Sequence, residues 1–156
     1  MHPLATQQYR MIHDIYVLMD DGDRRVLRPF NLSTSQYALL QLLDGEAGWR
    51  LTDLSERLLL DKSTVTRLID RLEQAELVRR IADPSDRRVQ RVLLTVAGQR
   101  QRDAAREAHE RSLERRLSVL EPEEQRHLST LLAKLCRGLA AELNQPEELQ
   151  GGPAHA

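Results

Sequence analysis

The chain has 156 residues, of which 40% are hydrophobic and 30% are charged, a size and balance typical of one soluble globular domain with a substantial core. Its formal net charge is -1, so no overall basic field indicates nucleic-acid binding, and any such function depends on where the charges lie. The single cysteine, Cys136, excludes an intramolecular disulfide framework and a multi-cysteine zinc site; no apolar run reaches membrane-spanning length and the N-terminus lacks a secretion signal, which favours a cytoplasmic protein without membrane contact.

The first predicted element is a helix that begins at about Thr6. Residues 20–23, three aspartates and a glycine, weaken the helical pattern. Residues 24–27 resume it before Pro29 ends it. One face of this helix carries apolar side chains at helical spacing, namely those of Ile12, Ile15, Tyr16 and Met19.

The second predicted helix begins after Ser33, a residue type that favours the N-cap position. Its sequence is strongly apolar from Tyr37 onward, which indicates a buried helix. Gly45 and Gly48 end it.

Two short helices separated by a tight turn come next. Thr52 is the predicted cap of the first, residues 59–60 form the turn, and Asp61 caps a second helix over residues 62–75. The second helix has the i, i+3, i+4, i+7 pattern of a half-buried helix. Its apolar stripe consists of Val65, Leu68, Ile69 and Leu72.

The periodicity then changes to that of strands. Residues 77–82 and 90–95 are rich in Val, Leu and Ile and predict a two-stranded hairpin. The seven residues between them, 83–89, are too many for a tight two-residue turn, so this loop should project from the body.

Two long helices complete the chain. Thr95 is the predicted cap of a helix that runs to about Leu120, and residues 121–124 are a typical helix start. The last helix carries a leucine stripe, for which we favour dimer contact over an intramolecular core because two terminal helices need a partner for their apolar faces. The predicted interface residues are Leu128, Leu131, Leu135 and Leu139.

The helix over residues 62–75 has the side chains that DNA contact requires. At 100° per residue from Val65, the side chains of Ser63, Arg67, Asp70 and Gln74 point outward and those of Thr64, Thr66 and Arg71 lie on the flanks. Small hydroxyl residues allow close approach to DNA, and arginines reach guanine edges or phosphates. The predicted DNA-binding residues of this helix are Lys62, Ser63, Thr64, Thr66, Arg67 and Arg71.

The projecting loop adds two adjacent arginines, Arg87 and Arg88. One can enter a minor groove while the other holds a phosphate, and Asp83 or Asp86 can orient a guanidinium group. Residues 50–92 hold ten basic and eight acidic residues, a local charge of +2, so charge gives only modest support for DNA binding.

These segments resemble the helix-turn-helix and wing of MarR-type transcriptional regulators. The resemblance covers about residues 30–98, and only the acids and glycine of residues 20–23 depart from the family's more continuous first helix. The matching segments are residues 33–37 (STSQY), 51–58 (LTDLSERL), 61–73 (DKSTVTRLIDRLE), 77–80 (LVRR), 83–88 (DPSDRR) and 93–95 (LLT).

The resemblance implies a mainly α fold with a small β-hairpin wing: a winged helix-turn-helix with about six helices, dimerising through its N- and C-terminal helices. Residues 30–98 are then the DNA-binding region, 4–29 and 99–144 the dimerisation region, and 145–156 a flexible tail. The resemblance also implies that the protein binds a palindromic operator and that a small molecule releases the repression. By position, Ser63, Thr64, Thr66 and Arg67 match the family's reading helix and Arg88 its wing-tip arginine.

Several plainer interpretations stand beside these. The hydroxyls of residues 63–66 can simply cap and solvate a helix, and Arg79, Arg80 and Arg91 are expected to be solvated strand residues or phosphate contacts. Cys136, within the leucine stripe, is expected to be a buried structural thiol. The fold can also serve as a protein-interaction module that does not bind DNA.

The sequence also bears on an effector site, a metal site and catalysis. His13 and Tyr16 share a helical face and, with Tyr37, are candidates to line an effector pocket, although core or interface positions are the plainer interpretation. The five histidines form no i, i+4 pair, so no metal site is expected. No other cofactor is expected either. No glycine-rich phosphate loop or nucleophile motif indicates catalysis.

Overall fold

The structure is a computed structural model that describes residues 3–43, 45 and 47–144. The predicted tail, residues 145–156, lies outside the described residues. The chain divides within its fifth helix into two compact units, residues 1–113 and 114–156. The described elements are α1 (Pro3–Leu27), a 3₁₀ turn (Arg28–Phe30), α2 (Thr34–Leu42), β1 (Trp49–Arg50), α3 (Leu51–Leu58), α4 (Lys62–Gln74), β2 (Val78–Ala82), β3 (Gln90–Leu94), α5 (Val96–Leu117) and α6 (Pro122–Leu143). Among them no helix has the length and apolar character needed to cross a bilayer.

The predicted hairpin is present and gains a strand. The antiparallel sheet has the order β1-β3-β2, with Val78 opposite Leu94 and Ala82 opposite Gln90. Strand β1 pairs Trp49 with Val92 and was not predicted, because two residues are too few to show an alternating pattern.

The core of the first unit lies between the helix-turn-helix and the sheet. The apolar stripe of α4 is buried as predicted, and Leu54 of α3 is buried beside it. Strands β2 and β3 supply Val78 and Val92, so the hairpin shares one core with the helices. The remaining buried apolar members of this core are Leu27, Leu32, Leu39, Leu40, Leu43, Leu77 and Ala105.

Helix α1 is continuous, so the predicted weakening at residues 20–23 is wrong. Asp20 pairs with Arg24 at 2.7 Å and Asp21 with Arg25 at 2.8 Å, both at i, i+4 spacing on the helix surface. Such pairs favour the helical state of residues that otherwise hydrogen-bond their own backbone. The third aspartate, Asp23, is 3.0 Å from His109 of α5. The helix therefore continues through residues 20–23 because all three aspartates are paired, two within α1 and one with α5, although their intrinsic helix propensity is low.

Most predicted caps are confirmed. The Ser33 side chain accepts from the Gln36 backbone N–H at the start of α2, and the Thr95 hydroxyl oxygen accepts from the Gly98 N–H at 2.9 Å at the start of α5. The prediction that Thr52 caps α3 is wrong, because β1 runs directly into that helix and places Arg50 at its N-cap.

The second unit contains α6 and the end of α5, which stops at Leu117 rather than near Leu120. Its leucine stripe is exposed, from 36% at Leu128 to 53% at Leu131. Cys136 is exposed with it, so the predicted burial of this thiol is wrong for the single chain. The reason is that, among the described residues of the second unit, no element packs over this stripe.

Candidate nucleic-acid interface

One face of α4 is available to an external partner. Ser63, Arg67, Asp70 and Gln74 are exposed, as the helical count predicted, and the opposite face is in the core. The core contacts therefore fix the axial rotation of α4, and that rotation determines which side chains face outward.

Asp61 organises the first turn of α4. Its side chain accepts a hydrogen bond from the Thr64 backbone N–H at 2.8 Å, which confirms the predicted cap. It also accepts from the Ser63 hydroxyl at 2.5 Å and the Thr64 hydroxyl at 2.6 Å. These hydroxyl bonds, with the backbone bond, hold the pKa of the Asp61 carboxyl well below its usual range.

Two further contacts set the remaining side chains of this turn. The Thr66 hydroxyl donates to the Lys62 carbonyl at 2.8 Å, and an Arg67 Nη2 donates to the Ser63 Oγ at 3.5 Å. Lys62 and Arg71 are exposed beside them. The predicted residues thus lie on one surface of α4, where the Thr64 and Thr66 side chains are half-buried and the other four are exposed.

The base of the wing is built around Asp83, which is 1% exposed. One carboxylate oxygen accepts from the Ser85 N–H at 2.8 Å and hydroxyl at 2.5 Å and from the Asp86 N–H at 3.3 Å. The other accepts from the Nε atoms of Arg91 at 2.7 Å and Arg50 at 2.9 Å. The Ser85 hydroxyl, the two guanidinium groups and the backbone N–H lower the pKa of the Asp83 carboxyl strongly.

The wing tip presents the paired arginines. Arg88 has 91% of its side chain exposed, and its Nε lies 3.2 Å from the Asp86 carboxylate, so Asp86 orients a wing guanidinium as predicted. Asp83 also orients guanidinium groups, but they are those of Arg50 and Arg91 and not those of the paired arginines. Arg87 is exposed beside Arg88, and both line an open cleft of about 420 Å³ that also includes Thr66 of α4. The wing and α4 therefore share one cleft.

Arg80 links the wing to α4. It ion-pairs with Asp70 at 2.5 Å and with Glu73, and its backbone N–H donates to Glu73 at 3.1 Å. Arg91 donates to the backbone carbonyls of residues 47 and 48 as well as to Asp83. The prediction that Arg80 and Arg91 are solvated is therefore wrong, because carboxylates hold both guanidinium groups, and the alternative of phosphate contact stays a prediction. Arg79 is exposed, as predicted. The i, i+3 spacing of Asp70 and Glu73 on one flank of α4 is the sequence signal that would have indicated a basic partner.

The candidate effector residues lie in different surroundings. His13 and Tyr16 are exposed on α1, whereas the Tyr37 ring packs edge-on against His109 with centroids 5.2 Å apart. Burial raises the pKa of the Tyr37 phenol. Their role toward an effector stays a prediction.

Sequence comparison gives one family match and several relatives. Residues 32–89 match the model of the MarR family. The chain is 30% identical over 130 residues to the uncharacterized HTH-type transcriptional regulator YkoM of Bacillus subtilis, and the match spans 83% of this chain and 84% of the relative. The match to another B. subtilis regulator, YsmB, is 34% identical but covers only 58% of this chain and 62% of that protein.

Solved structures give the same fold. AbsC, a MarR family transcriptional regulator from Streptomyces coelicolor, superposes with a TM-score of 0.79 and 27% identity, covering 90% of this chain and 97% of AbsC. A mutant of MarR from E. coli complexed with operator DNA superposes with a TM-score of 0.73 and 25% identity, covering 81% of this chain and 91% of that one. The winged helix-turn-helix expected from the sequence is therefore confirmed.

Proposed function

Because the chain belongs to the MarR family of transcriptional regulators, we propose that it is a homodimeric repressor that binds a palindromic operator through α4 and the wing and releases it when a small molecule binds. The observation that carries this proposal is the pairing of an exposed, rotationally fixed α4 face with a projecting wing tip across one cleft. A major-groove helix with a flanking minor-groove arginine is a common arrangement for reading DNA.

The proposed DNA contacts are of two kinds, those to base edges and grooves and those to phosphates. Arg67, on the outward face of α4, reads a base edge in the major groove, and Lys62 and Arg71 hold phosphates. Arg88 enters the adjacent minor groove with Arg87 on the backbone. The E. coli relative with 25% identity was solved complexed with operator DNA, which supports placing DNA against this face.

We expect Arg88→Ala and Arg67→Ala each to weaken binding to the DNA upstream of the protein's own operon by about 10- to 100-fold. Arg67→Ala should also relax sequence preference, whereas a lost phosphate contact weakens all sequences alike. Gel-shift titrations at several salt concentrations measure both effects.

Arg100→Ala, an equal loss of charge on α5, is the control. Unchanged binding by both variants would contradict the contacts, and an absence of salt-dependent binding by the parent protein would favour a protein-interaction module.

The dimer is proposed from the exposed leucine stripe of α6. Apolar side chains at i, i+3, i+4 and i+7 that nothing in the described part of the second unit covers are typical of a helix that packs against another chain. A twofold dimer also supplies the two half-sites that a palindrome requires.

We expect Leu135→Glu to shift the protein from dimer to monomer in sedimentation velocity experiments and to lower operator affinity with it, because a buried unpaired charge opposes association. Val119→Glu, which alters a residue that is 83% exposed between α5 and α6, is the matched control. A Leu135→Glu variant that remains dimeric would contradict the proposed interface.

The effector part of the proposal concerns His13, Tyr16 and Tyr37. A molecule bound by these residues would lower operator affinity only by binding the DNA-free conformation more tightly than the DNA-bound one. The proposal places the protein in the cytoplasm, where its operator lies.

A further inference from the structure

We propose that the hydroxyl groups in the first turn of α4 face the major groove as hydrogen-bond acceptors rather than donors, so that Ser63 and Thr64 select the exocyclic amino groups of adenine and cytosine, and that Asp61 determines this specificity. The inference rests on the proposed function, since it concerns the same α4 surface. It assigns to an acidic residue, whose charge otherwise opposes DNA binding, a role in choosing the sequence.

The hydroxyl protons of Ser63 and Thr64 are already engaged. Their oxygens lie 2.5 Å and 2.6 Å from the Asp61 carboxylate. An ionised carboxylate has no hydrogen to give, so in both bonds the hydroxyl must be the donor. Bonds to an ionised acceptor are shorter and stronger than bonds between neutral groups, and the low pKa of the Asp61 carboxyl keeps the acceptor ionised at neutral pH.

The hydroxyl of Thr66 is likewise a hydrogen-bond donor to the protein itself. Thr66 Oγ1 lies 2.8 Å from the Lys62 carbonyl oxygen, which also only accepts. All three hydroxyls of this surface therefore point their protons into the protein, and a phosphate oxygen, which needs a donor, gains nothing from them.

Their lone pairs remain for the groove. A hydroxyl oxygen has two acceptor sites, and the long 3.5 Å contact from Arg67 uses at most one of those on Ser63. The donors that a major groove offers are the N6 amino group of adenine and the N4 amino group of cytosine. Each base pair carries one of these groups, so such a contact fixes which strand holds the A or C and thereby the orientation of the pair.

Asp61 makes the Ser63 and Thr64 hydroxyls acceptors toward the groove, because its charged carboxylate binds their protons. In Asp61→Asn the amide oxygen still accepts from the Thr64 N–H and keeps the cap. The amide nitrogen cannot accept, however, so at least one hydroxyl proton is released toward the groove. That position can then also read thymine O4 or guanine O6, which are acceptors.

The test begins with selection of bound duplexes from a random library by the full chain. The selected half-site is then synthesised with single N6-methyladenine or N4-methylcytosine substitutions, which keep Watson–Crick pairing but replace the major-groove N–H. We expect affinity to fall about fivefold at one or two positions, the worth of one neutral hydrogen bond. The Ser63→Ala/Thr64→Val double variant should show no such fall, because it lacks the acceptors.

A second selection compares Asp61→Asn with the parent protein. We expect the preference for A or C on the contacted strand to relax to include T or G at the methylation-sensitive positions. Glu56→Gln removes an equal charge from the exposed surface of α3, and should leave base preference unchanged. Equal affinity for methylated and unmethylated duplexes, or an Asp61→Asn preference identical to the parent's, would overturn the inference while operator binding stands. Failure to enrich any sequence would overturn the proposed function and this inference together.

Discussion

Gly98→Ala should lower the free energy of unfolding by about 3 kcal/mol or more, although alanine in place of glycine inside a helix is ordinarily a gain of about 1 kcal/mol. A Cβ at this position would lie 1.8 Å from the Leu77 carbonyl oxygen. Backbone atoms cannot rotate aside as a side chain can, so α5 would have to move away from the start of β2. That movement would also break the bonds from Thr95 to the backbone of residues 76 and 77.

Equilibrium unfolding in urea measures this loss, with Gly138→Ala as the matched control. A Cβ at Gly138 of α6 meets no atom of the chain within 4 Å, so the control should be neutral or gain up to about 1 kcal/mol. If Gly98→Ala were as stable as the parent protein, the close approach of α5 to Leu77 would be wrong.

Asp83→Asn should disorder the wing and weaken operator binding by about 10- to 100-fold, the effect expected when a groove-reading arginine loses its position. The carboxylate is the shared partner of Arg50 and Arg91 and of the Ser85 N–H. An asparagine keeps one acceptor but turns its amide donors toward guanidinium groups that also donate. Hydrogen exchange of the backbone over residues 83–89 should become faster in the variant, and gel shifts measure the affinity.

The pH dependence of stability gives this prediction its internal control. The pKa of Asp83 is lowered on folding, so its stabilising effect is complete above the ordinary carboxyl value of 3.8 and is lost as pH falls through the lower folded value. Parent and variant should therefore differ in thermal midpoint at pH 7 and converge in acid. A constant difference at every pH would show that lost charge pairing is not the cause.

Local sequence signals sufficed for the parts of the site that short-range interactions determine. The cap at Asp61 and the outward positions of Ser63 and Arg67 follow from residue type and helical spacing, and the structure confirms both. The wing loop was equally evident, because its length excludes a tight turn.

What sequence reasoning missed depends on pairs that are distant in the chain. Asp83 meets Arg50 across 33 positions, and Arg80 meets Asp70 across ten. The continuity of α1 through residues 20–23 likewise includes a contact from Asp23 to His109. The i, i+3 spacing of Asp70 and Glu73 indicates that a basic partner is needed, but neither propensity nor periodicity identifies which distant residue supplies it, because tertiary packing selects the partner after the elements have formed.

The internal pairing of some arginines has an evolutionary consequence. Arg50, Arg80 and Arg91 are each held by carboxylates of the framework, so substituting one of them damages the fold. In the part of the chain that the structure describes, Arg67, Arg71 and Arg87 carry no ion pair and are exposed. Mutations at these positions can accumulate without loss of stability, so a duplicated copy of this gene can diverge toward a new operator by single amino-acid changes while its scaffold remains under purifying selection.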